Sequence, residues 1–517
     1  MIVELKTLMY IEVLLVIGLL AFYVCLRPVA RRVIKPVYVL IVLAIPLFGL
    51  FGGTKTVFYA LIFCIPLVSA GDGHRLAGIY SLALPLFPEL REPFLIGSFY
   101  LVQLSAITVF NLGALVALLF VQRRSRPPVT LDLIAWLLFF LMLALSTRGS
   151  SVTETIRAVA DVFLMVMPPY LIMSRSIRNQ SGATIATLLF LLGALLNAVV
   201  AIFDALHHWP LFHTMYDALG VAPQGTTASL LVRAGFMRAQ GAIDNMGSLA
   251  LLISLGLLGW LTVGRHLSRS GRWVVFGILL LGLLSSQLRG GWVAAAIGIG
   301  LYFLYRGRGG TVLGLGAAAL VASTALLALP SDSRLAEALG LSGGGQDTYN
   351  YRSQLLRRGL EEIGKHPLQG QTAGQLSVSM ADMRQGEHII DFVNTPLWVA
   401  LSLGLGGLLL YLLVWIVPMT IAWRRRRQPS FEGSRPWLAM AFAGTGTVFV
   451  FLLTTSPIDR NLPFAGIVLG LLAATSALRR ADRRARWPSA SWTLPQTLGD
   501  QPRSGGDLVE DAQPARG

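Results

Sequence analysis

Long apolar runs separated by short polar breaks dominate the chain. Runs long enough to cross or nearly cross a bilayer cover residues 8–26, 36–52, 57–70, 76–87, 94–121, 131–146, 156–173 and 183–205. They resume at 245–263, 273–288, 292–305, 311–329, 397–422, 437–455 and 462–478. A bilayer core asks for roughly 20 apolar residues per helix, so the pattern predicts a succession of membrane-crossing helices. The runs 57–70 and 76–87 are short, and are expected to tilt, re-enter or form one split segment. Two polar stretches, 206–243 and 330–396, interrupt the rhythm.

Composition agrees. Of 517 residues 54% are hydrophobic and 13% charged, and the mean hydropathy is +0.65. Soluble domains carry roughly a quarter charged residues, which excludes an ordinary globular protein. The net charge of +16 raises the possibility of nucleic-acid binding. Its distribution argues against that, because the basic residues fall in short clusters between apolar runs, as topology signals do. Cys25 and Cys64 both lie in apolar segments, so neither a disulfide framework nor a thiol metal site is expected. The first apolar run is followed by Arg27 and not by a small-residue cleavage site, so it is expected to stay in the mature protein.

The clusters also set an orientation. Placing Arg27, Arg31, Arg32 and Lys35 in the cytoplasm makes alternate loops cytoplasmic. Those loops hold Arg123/Arg124/Arg126, Arg175/Arg178, Arg265/Arg269/Arg272, Arg306/Arg308 and the four arginines 424–427. The short loops on the opposite side hold single cations at most, such as Lys55, Arg91 and Arg460. The expected architecture is therefore an all-α polytopic membrane helix bundle of about 13–15 spans. A large loop on the side away from the cytoplasm precedes the last three helices. Transmembrane helices occupy 1–205, 244–329 and 397–478, the two long loops on that outer side occupy 206–243 and 330–396, and 479–517 is a cytoplasmic tail with the composition of disorder.

Arg289 stands out against this background, in Ser286-Gln287-Leu288-Arg289-Gly290-Gly291, at the outer end of the run 273–288. A mid-membrane arginine costs roughly 2.5–3.5 kcal/mol on insertion scales. A chain that keeps one binds an anion or lines a polar cavity, unless the side chain snorkels to the interface. Gly290 and Gly291 would let a substrate approach the backbone. In the second long loop, 342–346 reads as a glycine hinge, followed by a helix from about Tyr351 to Lys365. Leu355, Leu356, Leu360 and Ile363 share one face, with Arg352 inside that apolar arc. The alternative for Arg352 is a snorkelling cation answered by an acid such as Glu362. The turn from His366 through Pro367 to Gly370 stops the helix.

His388, Asp391 and Asn394 recur every three residues before the next apolar run, so a helix would line them along one side. Neutral histidine suits proton abstraction near pH 7, and a carboxylate can orient its ring. The His-x-x-Asp motif is weak alone, and no ligand spacing suggests a metal or another cofactor. The first long loop offers His207, His208, His213, Arg233 and Arg238, the last opening a polar cluster over 238–245 that is expected to shape a cavity. Asp161 and Asn197 read as interhelical hydrogen-bond partners. Arginines around one histidine at a membrane surface fit glycosyl transfer from a polyprenyl-pyrophosphate-linked donor. Planar guanidinium groups would hold the pyrophosphate, and the histidine would deprotonate a sugar hydroxyl.

These landmarks resemble the O-antigen ligase/polymerase superfamily of bacterial envelope glycosyltransferases over roughly residues 233–423. The similar elements are Ser286 to Gly290, then Arg352 through Pro367 and Gly370, then His388, Asn394, Leu397 and the glycine-rich run 404–407. Where the family places histidine directly before the asparagine, this chain has Val393, with His388 upstream and Asp391 between them. The resemblance implies Arg289 and Arg352 as donor-binding groups and His388 as the base, with Asp391 a candidate for part of that role. From the polar cluster and the three-residue spacing, Arg238 and Asn394 are expected as further substrate contacts. The resemblance also implies a polymerase of lipid-linked repeat units at the periplasmic face of a bacterial inner membrane, with a ligase that moves glycan onto lipid A core or protein as the alternative. The expected partners are the lipid-linked glycan donor, a glycan or lipid acceptor, membrane lipids, and a flippase and chain-length regulator of the same pathway, with no nucleic acid. A transporter of lipid-linked sugars is the rival from another class, although the paired interrupted helices of such proteins are not evident.

Overall fold

The computed structural model describes residues 2–88, 90–96, 99–122, 125, 127–221, 232–233, 236–327, 344–384, 390–456 and 461–478. Helices follow the apolar runs. The first half contains α1 (Ile2–Cys25), α2 (Pro36–Phe51), α3 (Lys55–Cys64), α4 (Gly73–Ala83), α5 (Ala106–Leu119), α6 (Val129–Thr147), α7 (Val152–Ser176) and α8 (Gln180–His207). The second half adds α9 (Met246–Val263), α10 (Arg269–Ser285), α11 (Arg289–Tyr305), α12 (Gly309–Leu327), α13 (Gly344–Lys365), α14 (Thr395–Arg425), α15 (Arg435–Leu452) and α16 (Asn461–Ala477).

Seven described segments are long and apolar enough to cross a membrane by length and composition. They are α1, α6, α7, α8, α9 with its extension to His266, α14, and α15 with the turn before it. This is an all-α bundle with the make-up of a multi-pass membrane protein. Side-chain oxygens of Asp72, Ser105, Ser151, Asn179, Asn245 and Ser268 cap the helices they precede, which fixes where each run turns helical.

The centre of the bundle is α8. It is apolar all round and almost wholly buried, as expected of a helix with neighbours on every side. It packs against α1, α4, α9 and α10. Small residues set the closest approaches. Gly466 and Gly470, four apart on α16, lie directly against Pro169 and Tyr170 of α7, so the two backbones nearly touch. Asn197 on α8 donates to Pro85 O (2.9 Å) and accepts from Ile243 N (3.3 Å), joining helix to loop.

Two short antiparallel hairpins depart from the helical expectation. Residues 94–121 do not form one span: β1 (Arg91–Ile96) pairs with β2 (Phe99–Ser105), and only 106–119 is helical. Aromatic and branched residues such as Phe94 and Val102 favour strand, and the Ser105–Thr108 capping box then starts α5. The second hairpin, β3 (Val232–Arg233) with β4 (Phe236–Met237), lies in the first long loop.

The basic loops gather at one end. Arg27 N donates to His266 O (2.9 Å), Ser125 N donates to Arg175 O (2.8 Å), Arg265 lies over the Trp437 ring, and Gly433 abuts Gln180. The loop helices 344–384 have their own small core of Leu355, Leu376, Met380, Met383, Leu397 and Leu401, which seats α13 on the first turns of α14.

Candidate functional site

The turn from α10 to α11 is tight. Gln287 takes φ +49°, Ser286 Oγ donates to Leu283 O (2.7 Å), and Trp292 Nε1 donates to the same carbonyl (3.0 Å). Arg289 therefore does not close the helix before it. It is the first residue of α11, half-buried. Gly290 and Gly291 have a different use from the open backbone expected of them. A Cβ at Gly290 would run into Thr454, and one at Gly291 would lie 2.6 Å from Ala250 Cβ, so both glycines serve helix packing. Ala239 N donates to Ser285 O (3.0 Å), which sets Arg238 in the strand exit beside this same turn.

Thr454 belongs to a polar segment after α15 that joins the candidate residues. Thr395 Oγ1 donates to Thr455 O (2.8 Å), and Ser456 Oγ donates to Phe392 O (2.9 Å) and to Asp391 Oδ1 (3.4 Å). Asp391 in turn acts electrostatically on Arg352, and the Tyr351 hydroxyl donates to Met383 O (3.2 Å) and Asp391 O (3.4 Å). The segment 454–456 thus bridges the Arg289 turn to the Asp391–Arg352 pair. The apolar runs did not single it out. Its signal in the sequence is the hydroxyl cluster Thr454-Thr455-Ser456 at the end of a hydrophobic run.

Several expectations need correction here. Helix α13 begins at Gly344, so 344–346 is helix and not hinge. Its buried side runs through Leu355, Gly359 and Glu362, whereas Leu356 and Leu360 are exposed, as is Arg352. The stripe is rotated because Gly359 has to meet Leu397, 2.7 Å from where its Cβ would stand. Glu362 does not answer Arg352. It bonds Lys365 (2.6 Å) and Gln371 (3.1 Å), and the acid near Arg352 is Asp391. Residues 390–394 are not helical; Val393 N turns back to Asp391 O (2.9 Å). Asn394 is the N-cap of α14, its side-chain oxygen accepting from Leu397 N (3.0 Å). His388 lies outside the described residues.

The Asp391 and Arg352 side chains both reach solvent, yet enough protein surrounds them to weigh on their charges. Burial raises the Asp391 carboxyl above its usual range, against the lowering pull of the Ser456 hydroxyl and the Arg352 guanidinium. Arg352 feels burial too, opposed by Asp391, and stays a cation because arginine titrates far above neutrality. A cation beside a carboxylate that titrates high is suited to holding an anionic group and exchanging a proton next to it.

The loop bearing Arg352 is locked by a break in α14. Gly404 adopts φ +71° and ψ −173° inside the helix, and a Cβ there would strike Leu368 O. The Pro367–Gly370 turn fills the gap. Leu405 N donates to Pro367 O (2.8 Å) and Gln371 N donates to Leu401 O (2.7 Å). Arg148 donates to the carbonyls of Ser402 and Gly370. The carbonyls freed by the break are thereby satisfied, as buried backbone requires.

In the first long loop, the buried Asp204 accepts from Gly241 N (3.0 Å) and Leu211 N (3.4 Å), and Asp244 lies 3.6 Å from His213. These groups fold the loop down; His207 stacks on Phe203, and His208 takes the left-handed conformation that ends α8. Among the described residues, no group of three or more histidine, cysteine or acidic side chains is placed to hold a metal ion. No protein-family model matches the chain, and no curated protein does either.

Proposed function

We propose that the protein is a membrane glycosyltransferase that polymerises polyprenyl-pyrophosphate-linked oligosaccharide repeat units at the periplasmic face of a bacterial inner membrane, through about 13–15 spans. One observation carries this reading: the 454–456 segment joins the Arg289 turn to Asp391 and Arg352, and the basic loops gather through contacts of their own. Charges that signal retention belong to the cytoplasmic face, so the joined residues belong to the other.

In the mechanism that follows, Arg289 and Arg352 bind the donor pyrophosphate and neutralise it as it leaves. His388 takes the proton of the acceptor hydroxyl as that oxygen attacks the donor anomeric carbon, and Asp391 stabilises the resulting imidazolium. No metal or cofactor enters this reading. The test is extension of lipid-linked repeat units by the purified full-length protein in liposomes. Ladder products that need Arg289 and Arg352 support it. Transport of intact donor without chain growth overturns it.

A further inference from the structure

At the basic end of the bundle, Tyr305, Arg306, Arg426, Arg427 and Arg435 enclose a cavity of about 470 Å³. Arg306 is shared with an adjoining cavity of about 330 Å³ that Arg265, Arg272 and Arg308 also line. Among the described residues, no acidic residue lines either cavity and none of Arg306, Arg426, Arg427 and Arg435 pairs with a carboxylate. Topology signalling asks only that such charges lie on one side of the membrane. It does not ask arginines from three separate stretches of chain to converge on one void, where their mutual repulsion is a cost. One guanidinium nitrogen of the lining, Arg435 Nε, is buried with no hydrogen-bond partner among the described residues, which is costly unless an acceptor arrives. Arg426 also stacks over Trp423, which is 39% exposed, and Trp423 packs edge-on to Tyr305. Exposed tryptophan beside basic residues marks headgroup depth in membrane proteins.

We propose that this cavity is a phosphate-binding site, independent of the site at the opposite end, and that it takes the phosphate of an anionic phospholipid headgroup. Planar guanidinium groups on several sides match phosphate oxygens through paired hydrogen bonds, and a basic pocket between helices is the geometry that holds such headgroups. The full-length protein in neutral detergent provides the test, by thermal unfolding and by native mass spectrometry. Cardiolipin should raise the unfolding midpoint and remain bound, whereas phosphatidylcholine should do neither. In Arg426→Gln/Arg427→Gln, retained cardiolipin should fall on the order of tenfold. Arg306→Gln, at an exposed helix end, is the second variant should the double one fail to fold. Inorganic pyrophosphate that stabilises the protein and displaces cardiolipin would assign the same site to a soluble phosphate. Equal cardiolipin retention by wild type and variants, or no response to any phosphate, would overturn the proposal.

Discussion

Ser456 Oγ stands 3.4 Å from Asp391 Oδ1 across 65 residues of sequence, and the same hydroxyl donates to Phe392 O at 2.9 Å. One short hydroxyl therefore holds the backbone before α14 and biases the charge of the carboxylate beside Arg352.

Ser456→Ala should separate these effects. Asp391 already titrates above the usual carboxylate range, and both Ser456 and Arg352 pull it down. Removing either favours the protonated form, so the acid limb of the pH–rate profile should move to higher pH in Ser456→Ala and in Arg352→Gln. Asp391→Asn should abolish that limb. An acid limb unmoved in Ser456→Ala would mean that Asp391 does not govern the rate.

Gly290 is the contact point between the Arg289 turn and the 454–456 segment. Gly290→Ala should lower stability by about 1–3 kcal/mol through overpacking against Thr454. Glycan transfer should fall further than stability alone accounts for, because the two halves of the site are pushed apart. Adding Thr454→Gly should restore both in part. A Gly290→Ala protein with unchanged unfolding midpoint and full activity would remove this packing account.

The apolar runs and basic clusters made the helices legible, because both depend on local composition. The loop helix that carries Arg352 was readable from helical periodicity in the same way, but the face it buries was not, because Gly359 meets Leu397 from a distant helix. What escaped depends on partners distant in sequence. Nothing around Gly404 says that the Pro367–Gly370 turn will fill a broken helix, and nothing near Thr454 says that it will meet Gly290. The strands at 91–105 were hidden because their apolar residues suit a membrane helix equally well. The capping role of Asn394 was hidden too, since capping is visible only once the helix start is known.

The break at Gly404 gives a third prediction. Gly404→Ala combines a positive φ with a clash against the Leu368 carbonyl, so it should cost well over 1 kcal/mol and release the Arg352 loop. Limited proteolysis within 366–384 should become rapid while the rest of the bundle resists. Arg148→Ala removes the donor to the Ser402 and Gly370 carbonyls and should produce a weaker version of the same pattern. Protease resistance equal to wild type in Gly404→Ala would show that the loop is held by other contacts.

Charge and shape separate at the arginines. If Arg289 and Arg352 hold a pyrophosphate through paired hydrogen bonds, lysine keeps the charge and loses the fork. Each Arg→Lys change should then reduce transfer by about tenfold to a hundredfold, the worth of one charge-assisted hydrogen bond. Glycan length and amount in a deletion strain, complemented at matched membrane levels, provide the measurement. Normal polymer from both lysine variants would leave the arginines as interfacial anchors.

His213 and Asp244 tie the first long loop to the bundle at 3.6 Å, and the carboxylate raises the His213 pKa above the usual value of 6.5, against the lowering effect of burial. A histidine with a raised folded pKa stabilises fully below its unfolded value and loses that contribution as pH rises through the folded value. The stability advantage of wild type over His213→Gln should therefore be fully present below the usual histidine value of 6.5 and shrink as pH rises above it into the alkaline range. Unfolding midpoints of the two proteins, followed across that range in one detergent, provide the comparison. An advantage that stays constant, or that grows as pH rises, would mean that the imidazole contributes through packing against Tyr216 and not through its charge.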